Sequence, residues 1–525
     1  MAPAGPEIIE CRQRLSQSVV WTWQRSFFDR QGVAAWRKGT VPHYVTSNPF
    51  IAQAYAQVVF GWLRDLTRAT VIDRNQPLYI IELGAGCGRF GYHFLRAFFA
   101  IQRDSVLRDL AITYVMTDVA QSTIDEWRRH PQLAPFIGSG CLDFARFDAE
   151  RDEELALIEA GRTLSADNVA NPVAVIANYV FDGLAQDAFV IDDGVLRENL
   201  VTLSLPAPPE DPTDPALLGL VELAYEPGAV VGDGYYEPEF LDILRPYGEM
   251  LDDTNLLLPI GALRSLRGVH RLANGRLLLI SGDKGYHRVA DLAHRPEPAV
   301  IFHGSVSMAV NYHALGRYVE ALGGEYLTVE RDHGYLDICV AMVGNNEAGY
   351  DETRQAYALA VDQHGPDDFY TVKKSIGKAL EAWGLWPLIA YLRQSGWDSK
   401  TFHDCLPVVL DQLDELTTQG KHALRDATRR VWDAYFWIGE DDDLGFALGM
   451  VCYGIGAFVE AVEFFEHSVR LWGPDPATLY NLAVNHAALN DAGAAMEYLE
   501  RIFASNATYE PALVLRDELL GAAPQ

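Results

Sequence analysis

The sequence predicts an α/β fold: a Rossmann-like, mostly parallel sheet with helices on both faces, followed by an all-α helical-repeat domain. Three observations predict it. An apolar run at 78–83 leads into glycines at alternate positions, Gly84, Gly86 and Gly88, and then into an amphipathic stretch at 90–99. Strand-like apolar runs alternate with helical patterns from residue 78 onward, as expected of a parallel sheet covered on both faces. Beyond residue 368, small and apolar residues share a 34-residue register.

Taken in order, residues 1–65 read as a helical, aromatic-rich region with a cofactor or substrate loop at His43–Pro49. The main domain spans 66–345. Its first strand is 78–83, with further strands at 111–118, 143–148, 173–177 and 276–281, and a closing hairpin near 326–330 and 336–343. A hairpin there ends a sheet of mixed direction. An insertion occupies about 200–260 and opens with the Pro/Asp-rich loop 206–215. The polar stretch 346–368 reads as a linker, and 369–525 as a helical, tetratricopeptide-like domain. In its register Ala461 matches Ala495, Phe465 matches Leu499 and Gly449 matches Ala483. A generic helical bundle is the alternative.

The chain has 525 residues, 49% of them apolar, and a formal charge of −30. That acidity repels phosphate backbones and excludes nucleic acid as an expected partner; it suits a cationic small molecule, peptide or protein. It also simply favours solubility. The six cysteines form no CxxC pair, and there is no HExxH, so neither a disulfide framework nor a metal site is expected. The N-terminus lacks a basic-then-apolar signal pattern, and no apolar run reaches the ~18 residues of a spanning helix. The expectation is a cytoplasmic protein without membrane contact. A helical tail with too few repeats to stand alone suggests a homo-oligomer, a dimer for instance.

The glycine turn carries the chemistry. It brings bare backbone and a helix N-terminus against a ligand. The third glycine falls one residue early for the dinucleotide pattern GxGxxG, and GKS/GKT is absent, which excludes a P-loop. Acids end the next two strands: Asp118, suited to ribose hydroxyls, and Asp148 beside Phe147, suited to an adenine. An Asp at a strand end also serves as a helix N-cap.

Glu82-Leu-Gly-Ala-Gly-Cys-Gly88 resembles motif I of the class I S-adenosylmethionine-dependent methyltransferases. The resemblance implies S-adenosyl-L-methionine as cofactor, held by Glu82, Gly84, Gly86, Gly88, Asp118, Phe147, Asp148 and Asn178. Ile176-Ala-Asn-Tyr-Val-Phe-Asp-Gly-Leu184 further resembles the segment after strand four in the MidA-type methyltransferases, the family of the mitochondrial complex I assembly factor that methylates an arginine. Tyr44-Val-Thr-Ser-Asn-Pro49, Asp283-Lys-Gly-Tyr286 and the segment 304–315 agree in the same order. The family's Glu after Asn178 is Tyr179 here, Ala185 stands for a Pro, and Asn311 stands where an acid is expected. These departures leave arginine specificity open.

The resemblance implies methyl transfer to a nitrogen nucleophile, an arginine guanidinium on a protein, a peptide or the free amino acid. Carboxylates hold such a fork bidentately. Asp182, just past strand four, is the first candidate base, with Tyr179 and Asn178 as catalytic neighbours; Asp182 as a turn cap is the alternative. Tyr44, Glu198, Glu237, Glu239 and Asp283 are the candidate substrate contacts. Tyr235-Tyr236 in the insertion reads as a substrate lid or a dimer contact, and His43, His303 and His313 as accessory. Three other readings stay open: a small-metabolite O- or N-methyltransferase, a catalytically weak repeat-bearing scaffold, and nicotinamide redox chemistry, which the glycine spacing disfavours.

Overall fold

The structure is a computed structural model and describes residues 6–302, 304–344 and 349–521. Residues up to Thr371 form one compact unit and those from Val372 a second.

The first unit is built on a seven-stranded sheet. In chain order its strands are β1 (Leu78–Leu83), β2 (Ile112–Asp118), β3 (Leu142–Arg146), β4 (Val173–Asn178), β5 (Leu277–Asp283), β6 (Glu325–Leu327) and β7 (Asp337–Val343). They lie in the order β6-β7-β5-β4-β1-β2-β3. The strands from β5 to β3 are mutually parallel, whereas β7 runs antiparallel to both β5 and β6. Every residue of β1, β5 and β7 is buried, which is why these strands read as unbroken apolar runs. The order steps from β1 to β4 on one side and to β2 on the other. That switch point is where open α/β sheets bind ligands, beyond the carboxyl ends of the strands.

Helix α1 (Pro49–Arg68) packs on α2 (Arg89–Arg103). Its start is encoded locally: the Asn48 side chain accepts from the N–H groups of Phe50 at 3.0 Å and Ile51 at 3.1 Å, and Pro49 occupies the first turn.

Three sequence expectations change. Residues 1–65 are not wholly helical, because Glu7–Gln13 is a strand. It pairs antiparallel with Val195–Leu205 in a second, five-stranded sheet that also holds Asp187–Asp192, Glu222–Val230 and Thr254–Leu258. The insertion is therefore a sheet that starts at Asp187, ahead of residue 200, and recruits the N-terminus. Its edge segment is too exposed and too short on apolar alternation to announce itself. The third change is in the stretch read as a linker, which carries the helices Asp351–Tyr357 and Pro366–Ile376. The carboxylate of the fully buried Asp65 on α1 accepts from Thr353 N at 2.8 Å and Thr353 Oγ1 at 2.7 Å. Residues 345–348 lie outside the described residues.

In the second unit, Leu444–Gly454, Phe458–Trp472, Pro476–Ala488 and Ala492–Ser505 are helices, each packed on the next. Gly449 permits the first of these approaches: a Cβ there would lie 2.7 Å from the Phe465 ring.

Candidate active site

The glycine turn takes the conformation its residues allow. Gly84, Gly86 and Gly88 all have positive φ, at 56°, 55° and 79°, in the left-handed region that side chains disfavour. The turn is tied from beneath. Asp118, the last residue of β2, accepts from Gly86 N at 3.3 Å and from Ala120 N at 2.9 Å. Trp127 Nε1 donates to Gly86 O at 3.0 Å. Above the turn, Trp36 lies against Gly86, where an added Cβ would sit 2.8 Å from its ring. Phe28 stacks on Trp36, with centroids 5.6 Å apart and planes 21° apart.

Gly84, Gly86, Asp118, Trp36 and Phe28 wall one cavity with Phe147, Asp148, Asn178, Tyr179 and Asp182, whereas Gly88 and Trp127 are not on its wall. Glu82 also lines it but is 4% exposed and accepts from Tyr114 Oη at 2.9 Å. Burial raises its carboxyl to about 8. Asp118 rises to about 6 for the same reason, against the pull of its backbone donors. Asp148 accepts from Glu150 N at 3.1 Å, the turn-capping role, while lining the cavity.

At the other wall, Asn178 ends β4 and accepts from Tyr55 Oη at 2.8 Å. Tyr179 follows with φ 50°, fixed by its N–H donating to Gly282 O at 3.0 Å. The carboxyl groups of Asp182 and Asp283 are neighbours close enough to shift each other's ionisation. Asp283 is fully buried and Asp182 is 9% exposed and faces the cavity. Burial pushes Asp182 up to about 6; burial and the neighbouring Asp182 push Asp283 well above the carboxylate range. Burial and the neighbouring carboxyl thus favour the protonated form of Asp283, whose Oδ1 is buried without a hydrogen-bond partner. Asp283 Oδ2 accepts from Phe181 N at 3.1 Å. Lys284, also on the cavity wall, favours ionised Asp182.

Other predicted contacts lie elsewhere. Glu198 accepts from Arg14 Nε at 3.0 Å and Tyr235 Oη at 2.5 Å, inside the second sheet. Glu237 and Glu239 pair with Arg267 at 3.6 Å and 2.7 Å. None of these three acids lines the cavity. Arg14 covers the Tyr235 ring at 3.9 Å, and Tyr236 bonds Asp187, so this tyrosine pair packs the second sheet and is no lid on the cavity. Tyr44 sits beside Tyr370, ring centroids 6.2 Å apart, and is not on the cavity wall, whereas His43 is, with Nδ1 2.9 Å from Ser47 Oγ. Asn311 caps a helix through Ala314 N at 3.1 Å, and His313 bonds Tyr247 Oη at 2.7 Å. His303 lies outside the described residues.

Sequence reasoning missed the N-terminal wall. Trp36, Phe28 and the pair Arg25–Glu150, 3.3 Å apart, all line the cavity. Only the cluster of aromatics before residue 40 pointed there.

No family model matches the chain, and no curated protein matches it. Three solved structures from Burkholderia thailandensis are similar to it. A candidate methyl transferase bound to S-adenosyl-homocysteine is 15% identical, with 61% of this chain and 82% of that one covered and a TM-score of 0.38. An uncharacterised protein of the same superfamily is 13% identical, with coverages of 64% and 89% and a TM-score of 0.39. An O-methyltransferase family protein is 11% identical, with coverages of 56% and 59% and a TM-score of 0.24. Superpositions this loose place no ligand in the present cavity.

Proposed function

We propose that the chain is an S-adenosyl-L-methionine-dependent methyltransferase acting on a nitrogen nucleophile. The supporting observation is that one cavity is lined both by the left-handed glycine turn, at Gly84 and Gly86, and by Asp182, backed by the buried Asp283. The residues fit the cofactor. Gly84 and Gly86 bring backbone to the cavity wall with no side chains of their own, Asp118 and Asp148 offer acceptors, and Phe147 and Trp36 offer apolar faces. Glu82, Gly84, Gly86, Gly88, Asp118, Phe147, Asp148 and Asn178 would hold it. Bound adenosylmethionine supplies a methyl carbon made electrophilic by positive sulfur.

The chain's own task is to align the acceptor, exclude water and remove a proton. Asp182 takes that proton at its carboxylate. A proton retained on Asp283 would donate to Asp182 and hold it in one orientation, and Lys284 favours its ionised form. Tyr179 and Asn178 form the wall beside it. The acceptor we favour is an arginine guanidinium of a peptide, a protein or the free amino acid. Arg25 against Glu150 is a guanidinium already accommodated beside this cavity by a carboxylate. Lys284 next to Asp182 favours a second reading, a small metabolite methylated on oxygen. The helical unit from Val372 is read as tetratricopeptide-like stacking, through the Gly449–Phe465 approach.

Incubation with methyl-labelled cofactor, separately offering arginine, arginine peptides and small phenols or carboxylates, tests the reading. Label on a guanidinium nitrogen supports it. Label on oxygen selects the second reading, and calorimetry without any adenosylmethionine binding defeats both.

A further inference from the structure

Three metal-ligating side chains converge beside β7, next to Asp283, which pairs with Asp337 in the sheet, but off the cavity wall. His287 follows β5, His333 precedes β7 and Asp337 begins it. Their ligand atoms all lie within 4.8 Å of one another. His287 Nδ1 is 2.7 Å from Asp337 Oδ2, and His333 Nε2 is 3.8 Å from the same oxygen. Gly285 O is 3.2 Å from His333 Nε2. None of the three lines the cavity described above.

Asp337 is fully buried, and a buried carboxylate needs a positive partner. Among the described residues its ion-pair partners are these two imidazoles, with no lysine or arginine. His333 Nδ1, the ring nitrogen opposite the one near Asp337, is buried without a hydrogen-bond partner. Two imidazoles and a carboxylate are a donor set for zinc and its neighbours in the transition series; calcium and magnesium prefer oxygen alone. Zinc bonds of about 2.0–2.1 Å in a tetrahedron set ligand atoms about 3.3 Å apart. The observed separations of 2.7 Å and 3.8 Å bracket that spacing, so small side-chain rotations reach it.

We propose that His287, His333 and Asp337 bind a divalent transition-metal ion, specifically zinc. The ion would pin the segment after β5, which carries Lys284, to the start of β7. This site stands whether or not the chain transfers methyl groups. Spacing could not reveal it, because its ligands come from two separated segments.

The test uses the full chain. Metal analysis after dialysis is expected to give one zinc per chain. After chelator treatment, one equivalent of Co²⁺ is expected to give visible d–d absorption of a tetrahedral site that zinc abolishes. His333→Ala and Asp337→Asn should each weaken zinc binding by more than about 100-fold, the upper loss seen for outer-shell partners alone. Asp253→Asn, in the exposed trio Asp192, Asp193 and Asp253, should leave it unchanged. Absence of stoichiometric zinc and of a Co²⁺ band in the folded wild-type chain overturns the proposal. So does binding that survives His333→Ala but is lost in Asp253→Asn. If the variants at 333 and 337 fail to fold, the wild-type cobalt spectrum decides.

Discussion

The carboxyl groups of Asp182 and Asp283 couple electrostatically at the carboxyl ends of two adjacent parallel strands, Asp283 closing one and Asp182 lying just past the other, with only Asp182 on the cavity wall. Burial sets Asp182 at about 6 and holds the Asp283 proton far above that. Asp182 is a base only when ionised, so the methyl-transfer rate should fall about tenfold per pH unit as pH drops below about 6. Asp182→Asn should lower kcat by roughly 10²–10⁴-fold, the usual share of a general base. Asp283→Asn still donates a hydrogen bond and should leave the acid limb near 6. Asp283→Ala removes the donor and should move that limb upward. Rate profiles of the three variants check this; a limb that ignores Asp283→Ala rules out the coupling.

Gly86 meets two constraints at once, a φ of 55° and the Trp36 ring at 2.8 Å from any Cβ. Gly86→Ala should cost about 1–2 kcal/mol for the left-handed backbone alone. It should also abolish cofactor binding, measured by calorimetry. Trp36→Ala removes the steric part of that cost but not the backbone part. The double variant should therefore be more stable than the sum of the single losses predicts, as read by denaturant unfolding.

Glu82 retains its proton up to about pH 8, while an unfolded glutamate loses it near 4.5. Between these values the unfolded state releases its proton and the folded state does not. Its contribution therefore stabilises the fold fully below about 4.5 and is lost as pH rises to about 8. Glu82→Gln keeps an acceptor for Tyr114 Oη and has no proton to lose. It should unfold at a higher temperature than wild type at pH 8.5, with a gain of up to a few kcal/mol, and show no gain at pH 5. Parallel melting curves at the two pH values check it.

The main sheet was legible because its strands are buried on both faces. That burial demands apolar runs such as Leu78–Ile81 ahead of the single acid Glu82, and the alternate glycines that follow take the left-handed turn. The 326–343 hairpin was legible through its apolar content and its place at the end of the domain. Glu7–Gln13 was not, because it is an edge strand paired with residues nearly two hundred positions away and mostly exposed. Acids posed the harder problem. Glu198, Glu237 and Glu239 have the same composition signal as Asp182, yet each is held by an arginine outside the cavity. Which acid is paired and which faces the cavity depends on tertiary partners, which no local pattern records.

Tyr179 lies on the cavity wall just past β4, and its backbone is strained. Its φ of 50° is costly for a bulky residue and is held by the N–H bond to Gly282 O at 3.0 Å. Removing the ring also removes packing, so the informative comparison is Tyr179→Gly against Tyr179→Ala. Both lose the ring, but only glycine tolerates this φ freely. The glycine variant should be the more stable by about 1 kcal/mol, the reverse of the order found in helices and strands. If the ring forms the acceptor wall, both variants should raise the acceptor KM and leave the adenosylmethionine Kd unchanged. An unchanged acceptor KM in both would take Tyr179 out of acceptor recognition and leave it as a backbone device for placing Asp182.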